Sequence, residues 1–288
     1  MKVRIIQVPY DSGQRSLRMG AGPEHFIQNG LAQILRTGGY EVQVESVEAG
    51  GAFRAEIKTA FELCRSLAER VRDSAAQGSF PLVLSGNCNS SLGTLAGIGP
   101  ADTGMIWFDA HGDFNTPETR ESSFFDGMGM AIATGQCWRK LAATIPSFSP
   151  LPNSHVIHVG GRDFDPEEET LLEASGINVV RADRIRQSSV SEALLPALES
   201  LRAQVERLYL HIDLDVLDPA ETPANEYAAR VPNGLMLEQI EEAIRLINER
   251  FKICAGGVAS YDPKYDETGR TFEAGVRIIK SMLTTNNS

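Results

Sequence analysis

Eight short apolar runs, separated by longer segments of helical periodicity, constrain this chain most. VRIIQV (3–8), YEVQVESV (40–47), PLVLS (81–85), GMIWFDA (104–110), HVIHVG (155–160), GINVV (176–180), RLYLHIDLD (207–215) and CAGGVAS (254–260) read as strands. Between them, residues 55–77, 189–204 and 235–251 place apolar side chains every three to four positions, as amphipathic helices do. Strand, helix, strand repeated along a chain implies a parallel sheet with helices on both faces. The continuous apolar character of the runs suits strands buried on both sides. At 288 residues and 42% hydrophobic composition the chain can build one large α/β core. No repeat, low-complexity tract or convincing linker divides it, and the Pro- and Ser-rich stretch 145–154 reads as a surface loop. One domain over 1–288 is expected.

Other classes are set aside by composition. A formal net charge of -11 argues against a nucleic-acid backbone as partner. No apolar stretch approaches the roughly 18 residues of a membrane span, and the first apolar run, broken by Gln7 and Pro9, is too short for a signal segment. Cys64, Cys88, Cys137 and Cys254 are scattered without CxxC spacing. A disulfide framework is not expected, and a reducing cytoplasm is the default.

Two of the predicted strands end in metal-ligand chemistry. In WFDAHGDFNTPET (107–119), Asp109, His111 and Asp113 alternate, so an extended backbone would point all three the same way. In LHIDLDVLDPAETPA (210–224), Asp213 and Asp215 alternate likewise, and Asp218-Pro219 marks a turn. Ligands of open parallel sheets bind at the carboxyl ends of strands. A single Asp there usually caps a helix or turn; four gathered at one point repel strongly and call for a divalent cation or two. Carboxylates with one imidazole suit manganese(II) or a similar ion, which activates water for hydrolysis.

In these motifs the chain resembles the ureohydrolase family of arginases and agmatinases. DAHGD resembles the family's DAHxD, HIDLDVLDPAETPA resembles DxDxxDPxxxP, and LSGNCNSSLG (84–93) falls where the family carries GGDHS. IIQVPYDSGQ (5–14) and GAGP (20–23) resemble its opening segment, and the likeness runs from about residue 3 to about residue 280. It implies a three-layer α/β/α sandwich around an eight-stranded parallel sheet. It also implies a two-manganese centre: Asp109 and Asp213 bridging, His111 and Asp215 completing one ion, Asp113 and Cys88 the other. An amino-acid-like small-molecule substrate is implied too, with Asp165 and Glu168 at its α-amino group and Asn115 and Ser122 at its α-carboxylate. Asp165 and Glu168 read equally well as a helix N-terminus with Pro166 in the first turn. Family members commonly form trimers or hexamers, so a homo-oligomer is expected.

Three departures bear on the activity. Cys88 stands where the family has a metal-binding His; a thiolate is softer and adds negative charge, and a hydroxyarginine-hydrolysing branch of the family carries Cys there. Asp126 stands where arginases have a His used in proton transfer; a buried Asp can act as acid or base, and a plain loop Asp is the other reading. Ser260 stands where a glutamate grips the guanidinium, and a hydroxyl does not replace that carboxylate for a cation. Glu226 is a candidate for the missing acid, or a solvated loop residue. His211, two residues before Asp213, is either a partner that orients the metal aspartates or a core histidine.

The expected function is therefore metal-dependent hydrolysis of a C–N bond in an arginine-like guanidino compound, with N-hydroxyarginine favoured over arginine. The rivals are a formimino- or amide-type hydrolase of the same family and a non-catalytic metal-binding paralogue. A thiol enzyme built on Cys88 needs a base such as His111 or His211, and His111 cannot serve while it binds metal.

Overall fold

In the computed structural model, which describes residues 1–51, 53–99, 101–119 and 124–284, the eight expected strands all form. They are β1 (Lys2–Val8), β2 (Glu41–Ser46), β3 (Ser79–Ser85), β4 (Thr103–Phe108), β5 (Val156–Val159), β6 (Asn178–Val180), β7 (Arg207–Asp213) and β8 (Lys252–Ala259). They make one parallel sheet in the order β2-β1-β3-β8-β7-β4-β5-β6. Helices cover both faces, giving the three-layer α/β/α architecture.

Alternation along each strand explains why both faces need cover. Ile106 and Phe108 of β4 and Leu208, Leu210 and Ile212 of β7 point into one core, against the helices Val190–Arg202, Leu237–Asn248 and Arg270–Leu283. Met105, Trp107 and Tyr209 point into the other, against Glu56–Ala76 and Ser91–Ile98. The predicted helices form as expected, each trimmed by one to three residues at its ends. Ser189 caps the second of them by accepting the Glu192 N–H. Among the described residues no helix is long and apolar enough to cross a membrane.

The order of the central strands places the site. β3, β8, β7 and β4 are neighbours, and their carboxyl ends feed Cys88, Ser260, Asp213 and Asp109 to one point.

The strand ends differ from the sequence expectation. β4 stops at Phe108, before all three ligands of DAHGD, and Asp113 has a left-handed backbone (φ +46°). β7 stops at Asp213, and Asp215 lies in the 3-10 turn Leu214–Val216. The carboxylates thus converge because turns fold them back, not because an extended strand alternates. The cause is local: the Asp213 carboxylate accepts the Asp215 N–H at 2.8 Å, and that of Asp109 accepts the His111 N–H at 2.7 Å. Such Asx turns compete successfully with strand geometry once the sheet partner ends.

Candidate metal centre

Two groups of side chains bring ligand atoms within 4.8 Å of one another: Cys88, Asp109 and Asp213, and Asp109, His111 and Asp215. Asp109 is common to both. Cys88 Sγ lies 2.8 Å from Asp213 Oδ2 and 3.5 Å from Ser260 Oγ, and the Ser260 hydroxyl donates to the same Asp213 oxygen. His111 Nδ1 sits 3.2 Å from Asp215 Oδ2 and 3.4 Å from Asp109 Oδ1. Asp113 lies outside both groups but lines the cavity they open into.

The electrostatics favour a cation. Burial, with Asp215 beside it, pushes Asp109 up to about 6, and burial with neighbouring carboxylates pushes Asp213 and Asp113 far above the carboxylate range. Burial also drives up the Cys88 thiol, helped by Asp213 and Asp113. Asp215 alone is held low: burial opposes this, but His111 and its own hydrogen bonds outweigh it. Such crowding costs free energy that divalent ions relieve. The donor set of hard carboxylate oxygens, one imidazole and one thiol fits a transition-metal ion.

Several residues that fix this geometry carry no motif. Trp107 is fully buried and its indole N–H donates to Asp109 Oδ2 at 3.0 Å, leaving the other oxygen for the His111 N–H. His158 Nε2 bonds the His111 carbonyl at 2.6 Å. Arg162 donates to the carbonyls of Asp215 (2.8 Å), Val216, Leu217 and Val231, clamping the turn that carries Asp215. An arginine two glycines beyond the buried β5 was the available sequence signal, because a half-buried guanidinium needs several acceptors.

The remaining predicted residues fall as follows. Asp126 is buried in the cavity wall, accepts from Asn87 Nδ2 (2.7 Å) and the Asn89 N–H (3.1 Å), and is pushed up to about 8, chiefly by burial. Asp165 and Glu168 form the capping box of the helix Pro166–Ser175, as the helix N-terminus reading expects, and both also line the cavity. Glu168 accepts the Phe114 N–H (2.8 Å) and the Asp165 N–H (3.2 Å), so both its oxygens are already engaged. Ser122 lies outside the described residues.

Asn115 is 1% exposed and is not among the residues lining the cavity; its side-chain amide donates to Asp165 and accepts from Thr119. For Glu226 and His211 the structure favours the plainer of the two readings, a solvated loop residue and a core histidine. Glu226 does not supply an acid to this cavity, because it sits exposed in an ion pair with Arg230. His211 bonds no aspartate: Nδ1 lies 3.0 Å from the Tyr209 hydroxyl, Nε2 has no hydrogen-bond partner, and the ring stacks on Trp107 with centroids 4.0 Å apart. Burial pushes it down to about 3, so it is a neutral core histidine supporting Trp107.

A doubly covered parallel sheet, with carboxylates, an imidazole and a thiol at the carboxyl ends of its central strands, defines the class of a metal-dependent hydrolase. Comparison with known proteins narrows the class. The model of the arginase family matches residues 1–284, and the chain belongs to that family, whose reaction is hydrolysis of C–N bonds in amidino groups. The arginase of Bacillus caldovelox is 28% identical over 294 residues, covering 98% of this chain and 97% of the relative. That of Bacillus subtilis (strain 168) is 28% identical over 293 residues, covering 98% and 97%. The crystal structure of arginase from Bacillus cereus superimposes with a TM-score of 0.89 at 26% identity, covering 100% of both chains.

Proposed function

We propose that the protein hydrolyses the guanidino C–N bond of an arginine-like amino acid, with the N-hydroxyguanidine preferred over the guanidine, and that it stands with the Cys-bearing branch of its family. Position 260 carries this reading. The expected guanidinium-gripping carboxylate is replaced there by Ser260, 3% exposed, whose hydroxyl is committed to Asp213. A cationic guanidinium finds no counter-charge from that residue, whereas an N-hydroxyguanidine is less cationic at neutral pH. Arginine itself is the second reading, favoured by the relatives that bear the name arginase.

Two manganese ions are the cofactors we propose, held by Cys88, Asp109, Asp113 and Asp213 on one side and Asp109, His111, Asp213 and Asp215 on the other. When bound, such ions lower the pKa of water and so supply the nucleophile. The chain's own groups do the rest. Asp165 faces the substrate's α-ammonium. Asp126, in the cavity wall, passes a proton to the departing nitrogen. The water oxygen adds to the guanidino carbon, the bond to the side-chain nitrogen breaks, and that nitrogen leaves as an amine. The carbon departs as urea from arginine or as N-hydroxyurea from N-hydroxyarginine.

Comparing N-hydroxyarginine, arginine and formiminoglutamate at equal concentration, with manganese present, tests the order. The expected kcat/KM ranking puts N-hydroxyarginine first. A higher value for arginine overturns the preference, and a higher value for formiminoglutamate overturns the guanidino class.

A further inference from the structure

We infer that Arg230 binds the carboxylate of the substrate and so selects amino acids over the corresponding amines. The inference rests on the amino-acid-like substrate proposed above. Among the described residues lining the cavity, Arg230 is the only lysine or arginine, against seven carboxylates. An incoming carboxylate is repelled by such a wall unless a cation meets it. Of the two residues that the family resemblance assigns to this contact, Asn115 is engaged with Asp165 and Thr119, and Ser122 lies outside the described residues.

Arg230 is placed for the task. It ends the short 3-10 turn Ala228–Arg230 in a loop tied down on both sides. On one side the Asn225 amide donates to the Ser260 carbonyl at 2.7 Å, and its oxygen accepts the Ala228 N–H at 2.8 Å. On the other, Arg162 grips the carbonyl of Val231. The backbone beneath Arg230 is thus anchored to the metal-site turn and to the end of β8, so little backbone ordering remains for binding to impose. Its guanidinium stays accessible: the side chain is 68% exposed and pairs with Glu226 one helical turn back, itself 48% exposed. Exposed pairs of this kind are weak. A substrate carboxylate can take Glu226's place on the planar fork, which suits bidentate carboxylate recognition.

The test uses ornithine and putrescine, the same diamine chain with and without a carboxylate, titrated into manganese-loaded protein by calorimetry. Wild type is expected to bind ornithine more tightly. Arg230→Ala should weaken ornithine about ten- to a hundred-fold and leave putrescine within about two-fold. Glu226→Gln should leave ornithine binding equal or tighter. Because Arg230 is exposed, both variants should fold, and an unchanged melting curve checks this. Equal binding of both ligands by wild type, or equal effects of Arg230→Ala on both, overturns the inference. These titrations need no turnover, so they separate a failure of Arg230 from a failure of the proposed reaction, which the substrate panel reports independently.

Discussion

Trp107→Phe probes how the apolar frame shapes the metal centre. The indole N–H is 3.0 Å from Asp109 Oδ2, and Asp109 is the residue shared by both ligand groups. Removing a hydrogen bond to a buried charged acceptor costs about 1.5–3 kcal/mol. Phenylalanine also leaves part of a fully buried site unfilled and removes the stack on His211, roughly 1–2 kcal/mol more. Together the variant should lose about 2.5–5 kcal/mol in denaturant unfolding of metal-stripped protein. Freed of one of its two anchors, Asp109 should bind manganese about 10- to 100-fold more weakly. The control is Trp138→Phe, the chain's other tryptophan, whose indole N–H meets Met128 Sδ and no carboxylate; it should leave metal affinity unchanged. Stability is read by urea titration and affinity by manganese titration. If Trp107→Phe loses stability yet binds manganese as wild type does, the tryptophan only fills space and the positioning argument is wrong.

Three further outcomes are expected. Cys88→Ala should reduce bound manganese from two equivalents per chain to about one, measured by elemental analysis, because Asp109, His111 and Asp215 remain as a group; retention of two equivalents refutes a ligand role for the thiol. His158→Gln should flatten the acid limb of stability. Burial pushes His158 from 6.5 to about 4, so the unfolded chain takes up the proton first, and the wild type loses stability as pH falls through 6.5 toward 4. The difference between wild type and variant should shrink by about 3 kcal/mol across that window, whereas parallel stability curves would contradict this. Glu168→Ala strips the acceptor from the Phe114 and Asp165 N–H groups and should cost about 2–4 kcal/mol in chemical denaturation; a loss below roughly 0.5 kcal/mol by the same measurement would show that water replaces the carboxylate.

The sheet was legible because its signal is additive: each strand is a run of apolar residues, and burial on both faces leaves little alternation to misread. The clustering of the candidate ligands was legible because carboxylates are costly at the end of an apolar strand. Their geometry was not. Asp113 adopts a left-handed backbone and Asp215 a tight turn held by the Asp213 carboxylate, and strand periodicity encodes neither. Trp107 reads as an ordinary core residue in GMIWFDA because its one polar atom is invisible to a hydrophobic pattern. His211 stayed open between two readings because its spacing put it near the aspartates; Tyr209, also two residues away, pairs with its ring nitrogen and decides for the core histidine. Glu226 and Arg230 lie four apart on a loop with no strong periodicity, and only the fold shows that the cation, not the acid, faces the cavity.

The central claim is that this carboxylate, imidazole and thiol cluster is a two-ion hydrolytic centre. Adding manganese stepwise to metal-stripped protein, with N-hydroxyarginine present and amine release followed, tests it most directly. Turnover should rise with added metal and level off at two equivalents per chain. Turnover that persists without metal, or none with manganese, zinc or iron at any ratio, would contradict the account.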